Sequence, residues 1–410
     1  MRLFVQALQE IAKDTVCRCC FQKKTQYLGK SKNTLVFLPA GDEKYKSFWL
    51  IDTIFSARSG LLDTQLLGDV IDIIFTHGQN GSETRYLKNG LQVPPYAIAD
   101  HINFDGNPVF FPGTYAAGED QGNGSYGYYP PLNNLYLVTE LVSRYLSQGG
   151  DAGILEKEYH GCSLRECLKN AFYAGYALDP QTQLCQGEDD RYTVDWTYCD
   201  QVKKSGLFLV PSVMRAEAAG ILADFLPEEA TTFRSIRDLI LKNLIEYLFN
   251  EESGWFYSAT GKCRQKDVWG TAYAVYSGLL PETVMQKACQ ALKRAYIDGS
   301  ATCRGYVRQI LTSEDASDTA TWQHCDSPHN SYMNGGYWAT PSGWFAYGLY
   351  LVSPELAAQF TQEYITFTQE KSPDGAPYEW FHPATGHRSG RYYGTSGTSM
   401  YAAVKKLSLE

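Results

Sequence analysis

The sequence has no long apolar run, no basic excess and no shift of composition along its length. Nowhere in its 410 residues do ~18 apolar residues follow one another, so no membrane-spanning helix is expected. The opening stretch MRLFVQALQEIAKDTVCRCC is interrupted by Arg2, Glu10, Lys13 and Asp14. It therefore lacks the uninterrupted core of a secretion signal, and its periodicity suits an amphipathic helix. The formal net charge is −9, and no basic stripe offsets it. That excludes nucleic acid or an anionic membrane as the main partner, since both need a concentrated positive field. No second CxxC pair of zinc spacing occurs, and the Gly turn at 334–338 lacks the Lys and preceding strand of a phosphate loop. Neither a metal nor a nucleotide cofactor is called for. No linker, low-complexity tail or fixed-period repeat divides the chain. At this length, beyond the ~250–300 residues of an ordinary core, one large toroidal or barrel domain is expected.

Aromatic residues are plentiful. They make up 14% of the chain, with 30 Tyr and 8 Trp, against only 20% charged residues. Aromatic enrichment without basicity fits a surface that stacks on neutral ligands, and sugars are such ligands. The eleven cysteines are odd in number and irregularly spaced. They read as buried thiols rather than a disulfide framework, which favours a reducing, cytoplasmic compartment.

Helical periodicity recurs from end to end in segments of about a dozen to twenty residues. It predicts helices near 3–14, 49–58, 65–77, 133–148, 163–175, 207–225, 230–249, 268–278, 282–295, 342–352, 354–369 and 396–407. The segment 207–225 spaces Phe208, Val213, Ala216, Ala219 and Leu222 at helical intervals before Pro227 stops it, as an inner, buried helix would. Strand-like material is confined to 34–38, 109–111 and 255–258, too little to organise a fold. A dozen helices in six hairpins, separated by long aromatic loops, is the pattern of an all-α (α/α)6 toroid. Residues 1–45 are too few for a core of their own and are expected to pack on a single domain, 46–410.

Five stretches carry the candidate chemistry. In 372–399, Glu379 follows Pro377 and Tyr378 and precedes Trp380 and Phe381, so it is expected on a partly desolvated loop, where burial raises an acid's pKa. At 46–62, Trp49 and Asp52 stand three apart at a helix start; the indole can stack on a sugar while the carboxylate bonds its hydroxyls. An ordinary Asp near a helix N-terminus is the plainer reading. The long loop 104–132 offers a wall that includes Tyr115, Tyr126 and Tyr129, whereas Glu119 and Asp120 read as a solvated acidic turn. In 186–206, Asp195 before Trp196 and Asp200 after an aromatic run can both be partly desolvated, the condition that keeps an acid protonated. Asp189 and Asp190 look more solvated, and Lys203 or Lys204 could neutralise the cluster as surface pairs. In 321–344, Asn334, Tyr337 and Trp338 form a Gly turn with a sugar-binding surface; Asp326 and His329 are possible helpers.

Taken in their order along the chain, these stretches resemble the six-hairpin glycosidases, whose members include trehalase, glucoamylase and the processing α-glucosidase type. FWLIDT (48–53) resembles the substrate-holding segment, though Leu50 and Ile51 stand where an arginine belongs. YPPLNN (129–134) is similar to the segment entering an inner helix, with Asn133 or Asn134 in place of an aspartate. VDWTYCDQVKKSG (194–206) resembles the general-acid region, NGGYWATPSGW (334–344) the turn before the last hairpin, and YEWFHPATG (378–386) with YYGTSGTSMYAAV (392–404) the base-carrying segment. The resemblance implies an inverting glycosidase with Glu379 as base and an aspartate as acid. Asp200 is preferred over Asp195 because the Gly turn and inner helix follow it more closely. Trp49, Asp52, Tyr129, Trp196, Asn334, Tyr337, Trp338 and Trp380 would hold a small carbohydrate. The rivals are a sugar epimerase or isomerase, for which the seven histidines supply no suitable cluster, and a carbohydrate-binding toroid without activity.

Overall fold

Two kinds of helix alternate along the chain and differ in how much of their surface they bury. The computed structural model describes residues 4–25, 32–122, 124–174, 176–189, 191, 193–314, 324–370 and 375–409. Among them are twelve α-helices: α1 (Val5–Cys19), α2 (Leu50–Ala57), α3 (Thr64–Ile73), α4 (Asn134–Ser147), α5 (Leu164–Tyr173), α6 (Val210–Phe225), α7 (Ala230–Leu248), α8 (Val268–Ser277), α9 (Glu282–Ile297), α10 (Ser342–Val352), α11 (Pro354–Gln369) and α12 (Gly394–Leu409). Every residue of α2 is buried, Asp52, Thr53 and Ser56 included. By contrast α7 buries five of its 19 residues, the single stripe of a helix with one face in water. The even-numbered helices pack α2 on α4, α4 on α6, α6 on α8, α8 on α10, α10 on α12, and α12 back on α2. The odd-numbered ones lie outside, with α1 against α12, α7 against α6, α9 against α8 and α10, and α11 against α10.

Local chemistry sets where these helices begin and end. Asp63 caps α3 by accepting from the Gln65 and Leu66 amides, and Ser163 with Glu166 closes a capping box on α5. Pro211 opens α6, where its missing N–H is no loss. Gly278 ends α8 in the left-handed conformation, φ 76°. Each of the twelve predicted helices is present. No helix among the described residues is long and apolar enough to cross a membrane.

The strands expected at 34–38, 109–111 and 255–258 appear as Lys32–Phe37, Pro108–Val109 and Trp255–Phe256. What the sequence reading missed is an antiparallel five-stranded sheet that runs Thr302–Cys303, Tyr306–Val307, Tyr337–Trp338, Tyr378–Phe381 and Arg388–Arg391. Glu379, expected on a loop, lies in its fourth strand. Strands of two to four residues are too short for alternation to be read, and their partners are distant in sequence: Tyr337 pairs with Phe381 and Tyr378 with Arg391. Asp190 and residues 321–323 and 372–374 of the loops singled out above lie outside the described residues.

Candidate active site

The five-stranded sheet carries Glu379 to the wall of a cavity of about 450 Å³ at one end of the inner helices. Its side chain is 1% exposed. The Tyr45 hydroxyl donates to both carboxylate oxygens, at 2.7 and 2.8 Å. The Lys44 ammonium lies 3.1 Å from Oε2 and 2.7 Å from the hydroxyl of Ser389, the residue paired with Trp380 across the strands. Gly390, at φ +63°, makes room for this arrangement: a Cβ there would stand 2.7 Å from Glu379 Cβ and 2.9 Å from Oε2. Burial pushes the Glu379 carboxyl up, while Lys44 and the Tyr45 hydroxyl favour its ionised form.

A second carboxyl, that of Asp200, lines the same cavity. Asp200 follows the 3₁₀ turn Thr197–Cys199, and its Oδ1 is buried without a hydrogen-bond partner. Burial, and then the charges of Asp100 and Glu379, hold it well above the usual carboxylate range. Burial pushes both acids up, but two donors favour the ionised form of Glu379, whereas neighbouring negative charges push Asp200 further. Asp52, at the start of α2, is a third lining carboxyl. It accepts from Tyr198 Oη at 2.8 Å, and burial pushes it up to about 7. Trp49 stacks on His101 with centroids 4.1 Å apart, held by the pairing of Phe48–Trp49 with His101–Ile102. Trp380, Tyr332 and Tyr393 add further aromatic wall.

This architecture is similar to several solved structures. A rhamnosidase from Klebsiella oxytoca with rhamnose bound matches with a TM-score of 0.58 and 13% identity, over 99% of this chain and 64% of that one. A mannosylglycerate hydrolase from Thermus thermophilus in complex with glucose matches at 0.56 and 16%, over 97% of this chain and 100% of that one. The neutral trehalase of Saccharomyces cerevisiae matches at 0.55 and 13%, over 96% of this chain and 79% of that one. The chain shares the helical fold of these glycosidases. It spans less than two thirds of the rhamnosidase's length. No protein-family model matches it, and no curated protein matches it by sequence.

Within this shared fold, Asp200, Glu379, Asp52, Trp49 and Trp380 come together at one cavity. Tyr115 and Tyr126 of the long loop line it as well, and the remaining candidates do not. Asp195 is paired with Lys204 at 2.8 Å, with both side chains at most 1% exposed, so this is an internal ion pair and not the surface pair weighed above. Trp196 is fully buried against Tyr198, Trp269 and Trp344. Tyr129 packs on Tyr176. Tyr337 stacks on Phe381, and Trp338 is buried and donates its Nε1–H to Tyr332 O. Asn334 donates to Ser327 O. The Gly turn therefore acts from behind, by holding Tyr332 and Ser327 at the wall. Glu119 and Asp120 pair with Lys88 on the surface, and Asp189 is exposed beside Lys262.

The sequence reading missed Lys44, Tyr45, Asp100, Tyr198 and Tyr393. Tyr45 stands three residues before the FW pair, which is the one local hint; nothing marks Lys44. The Asp195–Lys204 pair underlies the loop that carries Asp200. Removing the cation leaves an uncompensated buried charge, so Lys204→Met is expected to cost about 3–5 kcal/mol in urea denaturation, and adding Asp195→Leu to recover most of it. Equal stability of the two variants would show that the pair contributes no such term.

Proposed function

We propose that the chain is a glycoside hydrolase acting by inversion on a short, neutral oligosaccharide or glycoside, with Asp200 as general acid and Glu379 as general base. The observation that carries this reading is one cavity lined by both carboxyls, with Asp200 pushed well above the usual carboxylate range and Glu379 bonded by Lys44 and Tyr45. In the reaction, the Asp200 O–H protonates the glycosidic oxygen as its bond to the anomeric carbon breaks. Glu379 takes a proton from water as that water attacks from the opposite face, and the product carries the inverted configuration. A volume of about 450 Å³ suits a small ligand, and Trp49 and Trp380 supply rings for stacking while Asp52 accepts from hydroxyls. We read the circuit from α2 through α12 and back as a complete six-hairpin toroid, formed by 46–410, with residues 1–45 packed on it. The free thiols support a reducing, cytoplasmic setting.

A histidine-based epimerase is disfavoured by the position of His101. It is fully buried behind Trp49, bonded to Asp100 at 2.9 Å, and does not line the cavity. The test is a screen of neutral glycosides followed by proton NMR of the first-formed anomer. Release of the inverted sugar is expected. Retention of configuration would overturn the assignment of Glu379 as base, and no turnover on any glycoside, with binding retained, would favour a binding protein. Trp49→Ala should weaken binding and turnover together, whereas Glu379→Gln should spare binding.

A further inference from the structure

A second cavity of about 450 Å³ lies at the opposite end of the inner helices. Helix α12 connects the two: Tyr393, just before it, lines the first cavity, and Lys405, about 18 Å further along the axis at 1.5 Å per residue, lines the second. Its walls carry Arg58, Arg144, Lys405 and Lys406. In a chain of net charge −9, four cations around one cavity run against the overall balance.

Part of this charge has a structural explanation. Arg58 bonds Glu140 through Nε at 2.8 Å and Nη2 at 2.7 Å, and Arg144 reaches the same carboxylate at 3.1 Å. Lys405 donates to Ser59 O at 3.0 Å and Lys406 to Ser277 O at 3.5 Å, at the carbonyl ends of α2 and α8, where a cation is favoured. These roles leave a remainder. Among the described residues, Glu140 is shared by Arg58 and Arg144, and Glu217 lines the cavity. The Arg58 side chain is 4% exposed, yet its Nη1 is buried with no hydrogen-bond partner, a state that costs about 1–3 kcal/mol if no acceptor arrives. Lys405 carries three N–H donors, of which Ser59 O takes one.

We propose that this far cavity is a binding site for a small oxyanion, a phosphate or carboxylate group, free or carried on a sugar-sized molecule. Arg58 and Lys405 form its floor and Arg144 its rim. The anion supplies the acceptor that Arg58 Nη1 lacks, and it takes the remaining Lys405 donors through charge-assisted hydrogen bonds.

Calorimetric titration of the full chain at constant ionic strength tests this, with inorganic phosphate and glucose 6-phosphate as separate arms and glucose as the uncharged control. One-to-one saturation by at least one anion is expected, weakened by about tenfold or more in Lys405→Gln and in the exposed-rim variant Arg144→Gln, and unchanged in Glu379→Gln. Saturation by phosphate alone identifies a free-anion site, and tighter binding of the sugar phosphate a metabolite site. Failure of both anions to saturate, or binding that survives both variants, overturns the proposal. So does binding that glucose matches, or that Glu379→Gln abolishes.

Discussion

Asp200→Asn and Glu379→Gln should each lower turnover by about 10²–10⁴-fold, the range for loss of one positioned proton-transfer group, but they should differ in how they respond to the leaving group. An acid matters most when the departing oxygen is a poor leaving group. On an aryl glycoside with a nitrophenol leaving group, the Asp200→Asn loss should shrink markedly, while the Glu379→Gln loss should persist because water still needs its base. The pH profile separates them as well. Glu379 must be ionised, so activity rises with pH through its pKa; Asp200 must be protonated, so activity falls as pH rises through its own. Since Asp200 is held well above the ordinary carboxylate range by burial and by the Asp100 and Glu379 charges, the falling limb should lie correspondingly far above that range. Equal losses on both substrates for both variants would remove the distinction between acid and base.

The helices were legible because their pattern is local. Three- and four-residue spacing of apolar side chains, with caps such as Ser163 and Glu166, is complete within each segment. The cavity was only partly legible, because its chemistry depends on residues far apart in the chain. Trp49 and Asp52 announce themselves by standing three apart across the start of α2, and Glu379 by its aromatic neighbours. Lys44 reaches Glu379 across 335 residues, and only the packing of the N-terminal segment against the strands Tyr378–Phe381 and Arg388–Arg391 makes that contact. The turn at 334–338 shows the opposite difficulty. Tyr337 and Trp338 have the chemistry to stack on a sugar, but the same rings pack instead on Phe381 and Tyr332, and composition does not distinguish the two uses. Asp195 and Asp200 likewise look alike in sequence; what separates them is Lys204, which pairs with Asp195.

Asp52→Asn should make the protein more stable, and the gain should appear only as the pH rises. Burial raises the Asp52 carboxyl to about 7 in the folded chain, against ~3.9 when unfolded. The folded state therefore binds this proton more tightly. Its contribution to stability is full below the unfolded value, is lost as pH climbs from ~4 to ~7, and is flat beyond. About three units of difference correspond to roughly 4 kcal/mol at pH 8. Asparagine has no charge to bury, and its carbonyl oxygen can still accept from the Tyr198 hydroxyl that now lies 2.8 Å from Oδ1. In urea denaturation the variant should match the parent near pH 4 and exceed it by a few kcal/mol at pH 8; an equal difference at both would show that a cause other than titration is at work. An aspartate kept at a fully buried position of α2 against that cost, with its carboxyl at the wall of the cavity, is what a binding group for hydroxyls would require. The stabilised variant should accordingly lose affinity for the sugar.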